Sequence, residues 1–319
     1  LVSVLLELTY RCNLDCYFCY NDLGKKGELL PTSRYLSVLE ELRNLGVMTL
    51  TLSGGEPLAH PGFWKIGRRA SELAFSTRIK TNGHAVDGSV SERLFEEVRP
   101  FLVEVSLHGA TAETHDRQTR VPGSFDRLLR NLSAMRSAGL NLKLNVTLTA
   151  WNVDQIEGMY GIADELGVPI MANFTVTPRD DGDRTPLSIA PDLEAMRRAA
   201  EFMLLRAESA EASTGTDPTD EIPAPSDGPV TFKNCGVGSS TLTVDPYGDV
   251  FPCIQWREPL GNVHERSLRE IWHGNPDLEG VREANLAAGR MVASLGPAGR
   301  AMGFCPALAR SETGSPTGI

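Results

Sequence analysis

The chain predicts an α/β fold organised around a parallel sheet. Two observations carry this expectation. Over the first two-thirds, strand-like segments alternate six times with segments of helical periodicity. Gly46, Gly139 and Gly167 stand where a helix must stop before the next strand begins. Strands are expected at Ser3–Thr9, Met48–Ser53, Ser76–Thr81, Phe101–Leu107, Leu140–Thr149 and Val168–Val176. Helices fall between them, among them Ser33–Leu45, Ser124–Ala138 and Val153–Leu166. Periodicity leaves open whether six such units curl into an open barrel or form a flat, doubly wound sheet.

A helix with apolar positions Leu193, Met196, Ala200 and Met203 closes this first domain, expected over 1–206. Ala207–Pro229 holds six acidic residues, four prolines and no Lys or Arg, the composition of a mobile linker or long surface loop. A small second domain is expected over 230–319. There Thr241–Val244 and Val250–Pro252 flank Asp245-Pro246-Tyr247-Gly248, whose early Pro and late Gly suit the turn of a β-hairpin. Ser267–His273 reads as a short helix.

Composition narrows the class. Of 319 residues, 41% are hydrophobic and 23% charged, as in ordinary globular chains. A net charge of −10 argues against nucleic acid or an anionic membrane surface as the main partner. No apolar run is long enough to span a bilayer. No signal peptide is visible, although the chain opens on Leu1, so an upstream segment stays open. All six cysteines fall into two constellations, leaving none for a disulfide framework; a reducing, cytoplasmic setting is expected.

The first constellation is Cys12, Cys16 and Cys19, a C-x3-C-x2-C triplet just past the first strand. Three thiolates this close can hold three corners of an iron–sulfur cluster and leave one iron open. Disulfide partners and a zinc site are the alternatives; zinc usually takes C-x2-C pairs with a fourth Cys or His nearby, and His60 is the nearest His in sequence. The second constellation is Cys235, Cys253 and Cys305. The hairpin turn at Gly248 brings Cys253 back beside Cys235, and Cys305 must return across 51 residues. Buried structural thiols are the alternative here.

Arg11-Cys12-Asn13-Leu14-Asp15-Cys16-Tyr17-Phe18-Cys19 resembles the signature of the radical S-adenosylmethionine (SAM) superfamily. Ser53-Gly54-Gly55-Glu56-Pro57, Thr81-Asn82-Gly83 and Ser106-Leu107-His108-Gly109 resemble its later motifs, in the family's order. All lie at the carboxyl ends of expected strands, where parallel folds build their sites. The resemblance implies a partial (β/α)6 TIM-like barrel with a small C-terminal α+β auxiliary-cluster domain. It implies a 4Fe–4S cluster on Cys12, Cys16 and Cys19 whose open iron is chelated by SAM, and reductive cleavage to a 5′-deoxyadenosyl radical. For SAM it suggests Glu56 toward the ammonium, with Gly54 and Gly55 allowing close approach. Asn82 flanks SAM, Ser106 is a candidate for its carboxylate or ribose, Arg117 for its carboxylate, Asn145 for its ribose or methionine, and Phe18 lies near the adenine. Ordinary strand-end hydrogen bonding for Ser106 and Asn145, and a surface ion pair for Arg117, are the plain alternatives.

The C-x12-G-x4-C spacing of Cys235, Gly248 and Cys253 resembles the start of the SPASM and twitch extensions, which carry auxiliary clusters. With three cysteines instead of seven, it is closer to the twitch type and implies one auxiliary 4Fe–4S cluster. Its fourth position is open to substrate, filled by water, or taken by a residue such as His264 or Asp249. Thr177-Pro178-Arg179-Asp180-Asp181-Gly182-Asp183 reads as a solvated turn facing the same mouth, with capacity to bind substrate. His108 reads as a structural histidine.

The leading expectation is an enzyme modifying a ribosomally made peptide, since Ser106-Leu107-His108-Gly109, His115-Asp116 and Gly123-Ser124-Phe125-Asp126 resemble peptide maturases. With all six cysteines used as ligands, none is left to return a hydrogen atom as an epimerase would need. The alternatives are a small-molecule dehydrogenase or mutase of the same superfamily and, remotely, a non-catalytic iron–sulfur protein, in which the Gly54-Gly55-Glu56-Pro57 motif has no purpose. An electron donor such as flavodoxin or ferredoxin and a peptide-recognition partner are expected.

Overall fold

The computed structural model describes residues 1–22, 24–214, 235–295 and 304–318. Six parallel strands form its centre: β1 (Ser3–Glu7), β2 (Thr49–Ser53), β3 (Ser76–Thr81), β4 (Leu102–Ser106), β5 (Leu142–Thr147) and β6 (Ile170–Asn173). Each lies within the segment expected for it. The strands stand in the order 1-2-3-4-5-6, every neighbouring pair parallel. An order that never reverses winds every crossover the same way and keeps the helices on one face. That is barrel winding, and it excludes the doubly wound alternative, whose order reverses at a switch point. With no described strand on the outer edge of β6, the barrel is partial.

The helices of the convex face are α1 (Thr32–Asn44), α2 (Phe63–Glu72), α3 (Gly88–Arg93), α4 (Ala112–Thr119), α5 (Ser124–Ser137) and α6 (Ile156–Leu166). Gly46, Gly139 and Gly167 end α1, α5 and α6 with φ of 79°, 81° and 62°. This left-handed conformation carries no Cβ penalty for glycine. Val38, Leu39 and Leu42 of α1 and Leu128, Leu132 and Met135 of α5 bury completely, against strand residues such as Leu6, Leu52, Ile79, Val105 and Leu144.

The other face is different in kind. Its alternate strand positions are Glu7, Thr51, Arg78, Lys80, Glu104, Ser106, Lys143 and Asn145. Parallel sheets covered on both sides read as continuous apolar runs. Charges at every second residue of β3, in Ser76-Thr77-Arg78-Ile79-Lys80-Thr81, instead require a face lining a lumen.

α7 (Leu193–Thr214) runs eight residues into the segment expected as linker. The rest of that segment lies outside the described residues. The face of α7 also differs from the expected one. Ala195 and Ala199 are buried, while Leu193 is 78% exposed.

The hairpin is present as β7 (Thr241–Val244) and β8 (Asp249–Phe251), joined by β9 (Gly261–Asn262). β7 pairs in parallel with β1, so the second module extends the barrel sheet into nine strands. Beyond it lie α8 (Leu268–Trp272), closed by a Ser267–Glu270 capping box, α9 (Pro276–Ser294) and α10 (Pro306–Thr313). Sequence periodicity had marked only α8 of these three. Among the described residues no helix is long and apolar enough to cross a membrane.

Candidate functional site

The Cys12–Cys19 loop leaves the carboxyl end of β1 and is held from four sides. After β2, the Gly55 and Glu56 N–H groups donate to the Thr9 carbonyl (2.6 Å) and the Arg11 carbonyl (2.9 Å). Gly54, at φ 128°, and Gly55 admit this approach because neither has a Cβ. A methyl added at Gly54 would meet the Thr9 carbonyl oxygen at 2.3 Å, and one at Gly55 would meet the Arg11 oxygen at 2.5 Å. After β3, the Asn82 amide donates to Asn13 Oδ1 at 2.7 Å and to the Cys12 sulfur at 3.5 Å. From α4, the Thr119 and Gln118 carbonyls accept from the Asp15 and Tyr17 N–H groups at 3.1 and 3.0 Å. Beneath the strand end, the buried Tyr35 hydroxyl lies 3.0 and 3.2 Å from the Glu7 and Leu8 carbonyls.

At the same strand end stands Glu7 itself, which the sequence reading missed. It is fully buried and takes both ends of the Arg257 guanidinium at 2.9 Å. The Tyr10 and Tyr20 hydroxyls, one on each side of the cysteine loop, donate to the same carboxylate at 3.3 and 3.1 Å. Arg257 also faces Asp180 at 3.2 Å. Asp180 lies in an exposed turn, as expected, but its side chain is partly withdrawn beside Arg257, and burial pushes its carboxyl up to about 7 despite that cation. Asp181 and Asp183 do remain exposed. No local pattern betrays this network, because Glu7 and Arg257 are 250 residues apart.

Glu56 is 1% exposed and already braced. Its carboxylate accepts from the Leu58 N–H (3.2 Å), the Thr81 hydroxyl (2.9 Å) and the Asn82 N–H (2.9 Å), tying the turn after β2 to the end of β3. Burial outweighs these bonds and raises its carboxyl to about 7. Ser106 and Asn145 are register partners on β4 and β5. Asn145 Oδ1 is buried with no hydrogen-bond partner. Phe18 meets His108 edge-on, ring centres 4.8 Å apart. His108 is buried and held neutral, its pKa lowered to about 3 by burial and by His115 and His84. Arg117 is exposed on α4 and stacks 4.0 Å over Trp151, which also packs on Tyr17. No short range motif predicts that stack.

The donor set can be tested against the groups it would hold. Burial raises the thiol pKa of Cys12, Cys16 and Cys19, and Cys16 is raised further by Cys19 and Cys12. Three such thiols become thiolates together only on a cationic centre. Among the described residues no three Cys, His, Asp or Glu groups converge closely enough for one metal ion. Thiolates on the separate irons of a cluster need no such convergence on one ion. The open Asn145 oxygen at the end of β5 is a buried acceptor left for the donor of a polar ligand.

The second set also assembles. Burial pushes the Cys253 thiol up to about 11, with Cys305 and Cys235 adding to it. Cys253 and Cys305 pack on Val237, Trp256, Val281 and Ala307. Asn285 of α9, unmarked by the sequence, donates to the Cys235 and Val237 carbonyls, both at 2.9 Å. Asp249 and His264 are engaged elsewhere, Asp249 with Lys25 at 2.8 Å and His264 against the Glu28 carbonyl at 3.3 Å. A cleft of about 360 Å³ opens between the modules, lined by Tyr20, Arg179 and Asp180 on one side and Trp256, Arg257 and Arg310 on the other.

Comparison with known proteins agrees with this geometry. The profile of the radical SAM superfamily matches residues 6–161, and that of an iron–sulfur cluster-binding domain, SPASM, matches 235–290. The chain is 31% identical to mycofactocin maturase MftC of Mycobacterium ulcerans over 294 residues, 90% of this chain and 78% of that protein. It is 27% identical to an AdoMet-dependent heme synthase of Methanosarcina barkeri, over 89% of this chain and 85% of that protein. It is 30% identical to the PqqA peptide cyclase of Ruegeria pomeroyi, over 85% and 74%. Among solved structures, Streptococcus suis SuiB superposes with a TM-score of 0.68 at 18% identity, covering 88% of this chain and 68% of that one; this likeness concerns the fold.

Proposed function

The chain belongs to the radical SAM superfamily, and from that premise we propose that it modifies a peptide, with Cys12, Cys16 and Cys19 holding the cluster to which SAM binds. It is an enzyme that uses SAM, a 4Fe–4S cluster and an auxiliary iron–sulfur cluster. With these groups bound, the site supplies reductive cleavage of SAM to a 5′-deoxyadenosyl radical, which takes a hydrogen atom from the substrate. The protein supplies position and exclusion of water.

Within this reading the residues divide the work. Gly54, Gly55 and Glu56 shape the cradle for the methionine end of SAM. Asn82 steadies the Cys12 sulfur, Ser106 and Asn145 offer polar groups to SAM from the wall, and Phe18 borders the adenine. Arg117, stacked on Trp151, stands at the rim as a carboxylate partner. Cys235, Cys253 and Cys305 hold the auxiliary cluster. Residues 1–206 act as the radical SAM core and 230–319 as the auxiliary-cluster domain. The fit of the cleft carries the peptide reading. It draws polar groups from both modules, among them Tyr20, which follows Cys19, and Gln255, two residues past Cys253, and so offers an extended substrate contacts on each side. The similarity to a peptide cyclase supports it. Flavodoxin or ferredoxin would supply electrons in a cytoplasmic setting, and a recognition partner would present the peptide.

A small-molecule substrate is the second reading, favoured by the similarity to the heme synthase. One experiment separates the two. The reconstituted enzyme is assayed anaerobically for 5′-deoxyadenosine with host-cell extract, before and after protease treatment. Stimulation abolished by protease supports the peptide; stimulation that survives it replaces the peptide by a small molecule.

A further inference from the structure

The concave wall carries a charge pattern that the cluster chemistry leaves unused. Strand register sets Lys80, Glu104 and Lys143 side by side on β3, β4 and β5. Arg78 lies two residues before Lys80 on the same face. Glu104 is 4% exposed and faces Lys80 at 3.3 Å, Arg78 at 3.6 Å and Lys143 at 3.9 Å. Three cations around one carboxylate leave a surplus of two positive charges, in a chain whose net charge is −10.

These cations are under-used. Charge-assisted bonds from nitrogen to a carboxylate close to about 2.7–2.9 Å, and all three contacts are longer. Arg78 Nε is buried with no hydrogen-bond partner. Lys143 Nζ donates to the Met171 sulfur at 3.4 Å, a weak acceptor. A buried donor left unpaired needs an explanation, and an acceptor supplied by a ligand is one.

We propose that Arg78, Lys80 and Lys143 form a carboxylate-binding subsite in the barrel lumen, which takes an acidic side chain or the C-terminal carboxylate of the peptide substrate. This rests on the peptide reading above. The Lys80–Glu104–Lys143 row lies one strand repeat below the Ser106–Asn145 row, about 7 Å deeper. A carboxylate anchored there holds the adjoining residue under the cysteine loop. Glu104 lessens the repulsion among the three cations.

The test is a binding titration on the anaerobically reconstituted holoenzyme with SAM present in saturating amount. The probes are N-acetyl-Gly-Tyr-Gly with a free C-terminus, its C-terminal amide, N-acetyl-Gly-Glu-Gly amide, and glutarate. At least one peptide carboxylate should bind about tenfold tighter than the neutral amide, the effect of a bond between charged groups. Which of the two does so identifies the source of the carboxylate. Lys143→Met should weaken that probe about tenfold, whereas Glu104→Gln, which raises the surplus charge, should tighten it. Damage to the fold would weaken it in both variants and would overturn the proposal. So would equal binding of acid and amide. A carboxylate preference present without SAM and lost with it would assign the cations to the methionine carboxylate of SAM, and would also overturn it. Glutarate binding tighter than either peptide carboxylate would keep the carboxylate site and remove the peptide reading.

Discussion

Replacing Arg257 with Met should test how the second module holds the cysteine loop. The change strips Glu7 of two bonds of 2.9 Å while leaving it fully buried. Removing one partner of a buried pair costs about 3–5 kcal/mol, because the other charge is stranded. The Tyr10 and Tyr20 hydroxyls still reach Glu7, so the lower end, roughly 3 kcal/mol, is expected. At roughly 1.5 °C per kcal/mol for a chain of 319 residues, the melting temperature should fall by roughly 4–5 °C. The Glu7→Gln/Arg257→Met double variant removes the stranded charge and should recover at least about half of that loss. Thermal denaturation followed by circular dichroism under anaerobic conditions reads both. Iron bound per chain after reconstitution should fall in the single variant, since Glu7 stands where β1 gives way to the loop. A single variant within about 1 °C of the parent, or a double variant no better than the single, would refute the argument.

Other outcomes follow from the same geometry. Gly54→Ala should cost about 3 kcal/mol or more, since its Cβ lands 2.3 Å from backbone, whereas Gly46→Ala meets nothing within 4 Å and should cost only about 1 kcal/mol for its positive φ; equal losses in urea denaturation would refute the close-approach account. Glu56, raised to about 7 in the folded chain from 4.5, keeps a proton that the unfolded chain releases. Its contribution therefore makes stability fall as pH rises between those values. Glu56→Gln should flatten that slope, and parallel pH profiles for the two proteins would contradict it. Cys253→Ala should lower iron to about four atoms per chain, the content of one cluster, while sparing the triplet's spectrum; unchanged iron would remove Cys253 from the ligand set.

The sequence by itself determined the strands, their order along the chain and the elements that bear each motif. These are local properties. β3 over Ser76–Thr81 follows from alternation, the helix ends at Gly46 and Gly139 from backbone freedom, and the cysteine triplet from spacing alone. The barrel rather than the doubly wound sheet was decided by strand order in space, which no periodicity encodes. So was the joining of β7 to β1, which makes the second module part of the sheet. The course of α7 beyond residue 206 was hidden because an acidic, Ala- and Ser-containing stretch supports either helix or linker, and burial of Ala195 and Ala199 favours helix at its start. Within the site, Cys12 was singled out by the spacing of its triplet and Glu56 by the resemblance of its segment to a radical SAM motif. Glu7 and Arg257 were not, because each is an ordinary charged residue until folding withdraws it from water. Taking a charge out of water makes its partner obligatory, and that partner is found across 250 residues of chain, where only the tertiary structure could bring the two together.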